Sequence, residues 1–207
     1  MAESRDSTAM NDHPDSVRLE IAAAAARLIA DSGLDYGAAK LKAARQLLGG
    51  AAAPRGALPD GEEIDAALRE HLELFDPDHA ARVARRREVA AELMERLAEF
   101  QPYLTGAVWK GICADHAPIH LQLFYDNAKE VEMRLLDERL RFDVLTLPHF
   151  RDPRESVEAL AFDWRREPVL LSLYDSDDVR GALRRGASGL AERGDLAALR
   201  KLTGASS

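Results

Sequence analysis

The chain has 207 residues, with 28 Lys and Arg against 36 Asp and Glu, a formal charge of −8, one cysteine and a hydrophobic share of 46%. With a pI near 5.3, that balance excludes a nucleic-acid coat protein or a basic membrane-surface protein, both of which depend on a strong positive field. Aromatic residues at 6% do not supply a single-strand stacking platform.

Residues 1–16, rich in Ser, Asp, Asn and Pro, have little to bury and read as a disordered tail. A lone cysteine forms no internal disulfide, and the first residues lack the apolar core of a signal peptide. No apolar run approaches the roughly 20 residues of a membrane helix, so the expectation is a protein of the reducing cytoplasm with no membrane partner. From Ser16 onward Val17, Ile21, Ala24, Ala25, Leu28 and Ile29 recur at helical spacing, and Gly33 stands where a left-handed C-terminal residue belongs. A second helix passes through Ala38, Leu41, Ala44, Leu47 and Leu48 and stops at Gly49-Gly50, before a small-residue loop from Ala51 to Pro59. Asp60 or Gly61 opens a third helix with Ile64, Ala67, Leu68, Leu72 and Phe75 on its buried stripe, ending near Asp76-Pro77. Asp78 is expected to cap a fourth helix that runs to about Phe100.

After Pro102 the pattern changes. Tyr103 to Val108 is short and apolar, and Ile119 to Tyr125 alternates as a strand with one polar stripe. Glu130 to Glu138 is helical in character and Arg141 to Leu147 alternates again. Ala159 to Trp164 and Val169 to Leu173 read as a hairpin turning through Arg165 to Pro168. Asp175-Ser176-Asp177-Asp178 predicts a capped turn before Val179 to Arg184, and Asp195 the cap of a last helix through Leu199 and Leu202. The fold class is therefore α+β: a helical region over 17–100 beside a small mixed sheet within 101–207.

The stretch with most chemical content is Leu104-Thr105-Gly106-Ala107-Val108-Trp109-Lys110-Gly111, followed by Pro118-Ile119-His120-Leu121-Gln122-Leu123-Phe124. It resembles the signature of the nucleotidyltransferase superfamily, in which a strand ends in Gly-Ser, an Arg-Gly pair follows, and a second strand carries two acidic residues one apolar residue apart. In that family glycine lets the backbone approach a triphosphate and the paired carboxylates hold two magnesium ions for in-line displacement. Gly106 and Gly111 match the two glycines, Ala107 stands for the serine and Lys110 for the arginine. The acidic pair is missing: Pro118 and His120, or His120 and Gln122 in the shifted register, occupy its positions. Asp143 matches a third carboxylate on the next strand, and one carboxylate does not make a two-metal site.

The resemblance covers roughly residues 90–147. It implies a catalytically degenerate nucleotidyltransferase-like protein, with a minimal core of that fold, that binds a nucleotide, an RNA end or a protein partner. The candidate ligand pocket is Gly106, Ala107, Lys110, Gly111, His120, Gln122 and Asp143, without catalytic residue, metal or cofactor. One alternative is an active transferase that uses magnesium through relocated carboxylates, Asp115, Asp126 and Asp143. Another is a helical interaction or regulatory module, including a homo-oligomer. The chain is also similar to a group of proteobacterial proteins, some of which carry a UDP-N-acetylmuramate–alanine ligase label, yet it has no loop ending in Gly-Lys-Ser/Thr to cradle ATP.

Plainer readings exist for the same residues. Gly106 and Gly111 suit a strand-ending turn, Lys110 a solvated surface, and His120 and Gln122 the polar face of a half-solvated sheet. Cys113, Asp115, His116 and His120 crowd together without the spacing of a zinc site. Arg82, Arg85, Arg86 and Arg87, with Glu88, Glu92 and Glu95 nearby, suggest ordinary i to i+4 pairing on a solvated helix face. The N-terminal helices resemble the opening of TetR-type regulators, but Lys40, Lys42 and Arg45 are followed by a flexible loop where a recognition helix belongs, so DNA binding is not expected.

Overall fold

A computed structural model of the chain describes residues 14–182 and 191–204. The tail expected over 1–16 falls mostly outside the described residues, and the chain is already helical at Pro14. The fold is α+β, and the chain divides into two compact units, the first ending at His71 and the second beginning at Leu72.

The first unit contains α1 (Pro14–Ser32), α2 (Tyr36–Leu47) and the start of α3 (Gly61–Phe75). Gly33 takes a positive φ of 62° and returns its N–H to Ile29 O, the expected helix end. The Asp35 carboxylate accepts from Ala38 N to start α2. Asp60 and Glu63 exchange side-chain-to-backbone hydrogen bonds of 2.9 Å, a reciprocal capping box at the start of α3. The helices bury mostly small side chains, Ala22, Ala25 and Ala26 from α1 and Ala39, Ala43 and Ala44 from α2, which lets the α1 and α2 backbones approach closely. Tyr36 Oη donates to Asp65 at 2.5 Å and so ties α2 to α3.

The second unit holds α4 (His79–Arg96), β1 (Pro102–Thr105), α5 (Gly106–Lys110), β2 (Ile119–Phe124), α6 (Ala128–Asp137), β3 (Asp143–Pro148), β4 (Ser156–Trp164), β5 (Glu167–Tyr174), α7 (Val179–Ala182), β6 (Arg193–Gly194) and α8 (Leu196–Leu202). Among the described residues the strands form one mixed sheet in the order β3-β4-β5-β2-β1-β6, antiparallel throughout except for β2 beside β5. This unit begins before residue 101, because the apolar stripe of α4 (Val83, Ala90, Leu93, Met94) belongs to the core of the sheet.

Three local expectations change. The apolar stretch from Tyr103 to Val108 is strand only as far as Thr105, because Gly106 enters the left-handed region at φ 69° and turns the chain into α5. Asp78 makes no side-chain cap; instead the Asp76 carboxylate accepts from Asp78 N, and Asp78 contributes its carbonyl to Arg82 N. The β4–β5 hairpin turns through Arg165 and Arg166, both with positive φ, the backbone of a primed turn built without glycine.

The sheet is two-sided. Leu104, Ile119, Leu121, Leu123, Leu160, Val169, Leu171 and Leu173 form one face and pack with α4, with Val131 and Leu135 of α6 and with Leu199 of α8. The alternate residues of the same strands form the other face.

Candidate functional site

Strand register sets the second face out as a grid. Asp143, Ala161, Leu170, His120, Thr105 and Arg193 are successive partners across the sheet and form one row. The next row is Leu145, Ala159, Ser172, Gln122 and Tyr103. The expected pocket is thereby divided. His120 and Gln122 lie side by side, with Gly106 beside His120: a Cβ on Gly106 would stand 3.7 Å from His120 Cβ. Asp143 shares the row but is three strand spacings from His120, about 14 Å, and it lines a separate open groove of about 550 Å³ with Pro118, Ala161, Pro168 and Leu170. Lys110 ends α5 and lies 3.6 Å from the Glu192 carboxylate. Ala107 lies within α5, where its carbonyl accepts from Ile112 N, and Gly111 closes that helix at φ 70°.

What gathers around His120 and Gln122 is a hydrogen-bonded cluster that extends beyond the expected residues. His120 Nε2 and Ser172 Oγ are 2.7 Å apart. Ser172 also bonds Tyr174, whose hydroxyl receives a long bond from Gln122 Nε2 at 3.5 Å. Gln122 Oε1 accepts from Arg193 Nη1. The floor, Gln122, Ser172 and Tyr174, is buried, whereas His120, Thr105, Phe150 and Arg193 around it are half-buried.

Enclosure by its neighbours, reinforced by the Arg193 charge, lowers the His120 pKa to about 4, so its imidazole is neutral at pH 7. Burial likewise pulls Arg193 below the ordinary guanidinium range, against the attraction of Tyr174 and Glu192, and pushes the Tyr174 hydroxyl up. The cluster therefore presents neutral donors and acceptors around a single cation.

Arg193 is held in place from several directions. Thr105 Oγ1 donates to Glu192 O at 2.9 Å and Trp109 Nε1 to Ala191 O at 2.8 Å. Gly194 passes so close beneath Trp109 that a Cβ there would overlap the indole ring. The guanidinium lies 4.7 Å over the Phe150 ring. Phe150 belongs to the β3–β4 connection, whose His149 Nδ1 accepts from Arg151 N at 3.0 Å and whose His149 Nε2 is 3.2 Å from the Asp178 carboxylate. Nδ1 being an acceptor, the proton sits on Nε2 and is donated to Asp178. Arg151 Nη1 meets the same carboxylate at 3.0 Å. The Asp175–Asp178 turn expected from sequence is present as a short 3-10 segment, Ser176–Asp178, and through Asp178 it clasps this connection.

The arginines of α4 correct the expectation of a solvated, i to i+4 paired face. Arg82 and Arg86 are buried, and their partners lie just before α4, in the loop between α5 and β2 and on β5. Arg82 bonds Cys113 O at 3.0 Å and pairs with Asp76 and Asp115. Arg86 bonds Glu167 at 2.7 Å and the carbonyls of Ala114, Asp115 and Ala117. Arg87 donates to Val108 O and Trp109 O. Burial alone would raise the Glu167 pKa, but hydrogen bonds from Arg86 and Arg85 outweigh it and hold the carboxyl below its usual range. Burial pushes the Cys113 thiol up, against the adjacent Arg86 charge. These groups brace the approach to β2.

The relocated-carboxylate alternative meets a dispersed arrangement. Asp115 pairs with Arg82 before β2, and Asp126, beyond its other end, accepts from Ser176 N and Oγ. Asp143 is on the outermost strand. Among the described residues no three His, Cys, Asp or Glu side chains are grouped to hold a metal ion, and no helix is long and apolar enough to cross a membrane.

Sequence reasoning did not include Ser172, Tyr174, Phe150 or Arg193 in the expected pocket. The polar Ser172 amid Val169-Leu170-Leu171-Ser172-Leu173-Tyr174 was the available signal for β5; for Arg193 no local signal existed. No family model, curated protein or solved structure matches the chain.

Proposed function

We propose that this protein is a nucleotidyltransferase-like binding protein without transfer chemistry, and that it holds a nucleotide or an RNA end on the polar face of its sheet. The observation that carries the reading is the neutral chemistry of β2. Where a transferase needs paired carboxylates, His120 and Gln122 are engaged in side-chain hydrogen bonds with Ser172 and Arg193. Neutral imidazole and amide groups are poor ligands for a hard cation, but they suit the donor and acceptor edges of a base or ribose. The separation of Asp115, Asp126 and Asp143 gives the active-transferase reading no support of its own.

The test is a thermal-shift panel of nucleoside mono- and triphosphates with the full chain, each with and without magnesium. A metal-independent rise in Tm is expected; a ligand at 100 times its Kd stabilises the fold by about 2.7 kcal/mol. Magnesium-dependent incorporation of a nucleotide into RNA would overturn the degenerate reading, and the absence of any shift would overturn nucleotide binding. A partner-protein role draws on the exposed Leu19, Leu41 and Leu47 of the first unit. It predicts a defined oligomer or captured partner that is lost when Leu41 and Leu47 are replaced by Lys.

A further inference from the structure

We propose that Arg193 is the anion anchor of this site: its guanidinium receives one oxyanion of the ligand, a phosphate or a carboxylate, while His120 and Gln122 face the uncharged part. The inference rests on the ligand-binding reading above and deepens it by naming the charge of the group bound and the residue that binds it.

The argument begins with a comparison among the arginines of the second unit. Arg82 has Asp76 and Asp115, and Arg86 has Glu167, so each buried guanidinium is met by a carboxylate. Arg193 has none among the described residues. Its one side-chain hydrogen bond to a described residue goes to the neutral Gln122, and its Nε is buried without a partner. The adjacent carboxylate, Glu192, lies 3.6 Å from Lys110 Nζ. Residues 183–190 read Leu-Arg-Arg-Gly-Ala-Ser-Gly-Leu and contain no acid.

A guanidinium offers five N–H donors in a planar fork, and among the described residues only Gln122 meets this one with a side-chain hydrogen bond. Leaving such a cation partly desolvated with no carboxylate in contact among the described residues is costly, and an anion delivered from solution lowers that cost. The fork geometry matches two oxygens of one phosphate or carboxylate. The group is also pre-positioned: β6 pairs with β1 through Thr105 and Arg193, Trp109 lies over Gly194, and the Phe150 ring lies beneath the cation. No metal ion is needed to neutralise the bound group, in keeping with a strand that lacks carboxylates.

The experiment measures binding to the full chain by calorimetry and Tm, without magnesium. The probes are inorganic phosphate, acetate, adenosine monophosphate and adenosine. The proteins are wild type, Arg193→Gln and Arg193→Lys. Wild type is expected to bind at least one anionic probe saturably, and to bind adenosine at least tenfold more weakly than the monophosphate. Arg193→Gln is expected to weaken the anion at least tenfold while melting, ligand-free, no lower than wild type. Arg193→Lys keeps the charge but loses the fork, and an intermediate affinity is expected; should the glutamine variant not fold, an unchanged affinity in the lysine variant overturns the proposal. Phosphate and acetate distinguish the two oxyanions. Monophosphate binding that survives Arg193→Gln overturns the anchor and leaves the nucleotide reading standing. Phosphate or acetate binding lost in that variant, with no response to the nucleotide, supports the anchor and overturns the nucleotide reading. No response to any probe overturns both.

Discussion

The two faces of the sheet come from alternate residues of the same strands, yet they follow opposite rules. On β2, Ile119, Leu121 and Leu123 enter a core closed by α4, α6 and α8, while His120 and Gln122 enter a hydrogen-bonded cluster with Ser172, Tyr174 and Arg193. The first face gains stability from every buried methylene. The second holds a cation whose described hydrogen-bond partner is neutral, and side chains that an apolar replacement could match in volume. A folded protein keeps such a face when something other than stability requires it. The helix-covered face is therefore the scaffold, and the polar face is where function is to be sought.

Three perturbations sharpen or break that contrast, beginning with the largest. Leu121→Ala, at a fully buried position of the scaffold face, should cost about 2–5 kcal/mol in denaturant unfolding. A loss below about 1 kcal/mol would mean that the helices do not seal this face. On the other face Gln122→Leu, which removes the acceptor of Arg193, should cost about 1–3 kcal/mol. Adding Arg193→Leu should restore much of that loss, because replacing both partners removes the unsatisfied donor. Strictly additive losses in this double-mutant cycle would show that the two side chains do not act together.

The smallest effect concerns pH. His120 has a folded pKa of about 4 against an ordinary 6.5, so between these values the unfolded chain binds a proton that the folded chain refuses. The associated stability is present above pH 6.5 and is lost as pH falls toward 4. Denaturation midpoints of wild type should therefore fall between pH 7 and pH 5 more steeply than those of His120→Gln. Parallel curves for the two proteins would exclude His120 as the group responsible.

Much of this architecture was legible in the sequence wherever the determining interactions are local. Helical spacing marked α1 to α4, Gly33 marked one end and Asp60 or Gly61 one start, and strict alternation marked β2. His120 and Gln122 were visible as a polar stripe because a strand repeats every two residues. Their partners were not. Arg86 meets Glu167 across 81 positions and Arg193 meets Gln122 across 71, and nothing in the local pattern separates such arginines from solvated ones. Asp143 was grouped with His120 because it matches the third carboxylate of the nucleotidyltransferase pattern on the next strand in sequence. In the sheet β5 lies alongside β2, and β3 is displaced to the edge.

That strand order also bears on how the chain assembles. The β3–β4 and β4–β5 pairings join neighbours in sequence and close with short loops, whereas β2 must await β5 before its parallel edge is satisfied. Local hairpins form in microseconds, and long-range pairings are slower because loop-closure entropy is spent before contacts compensate it. His120 and Ser172, 52 positions apart, thus meet only when the late pairing closes. A nascent chain that has emerged as far as α6 carries His120 and Gln122 but not Ser172, Tyr174 or Arg193, so the polar cluster is complete only when the sheet is.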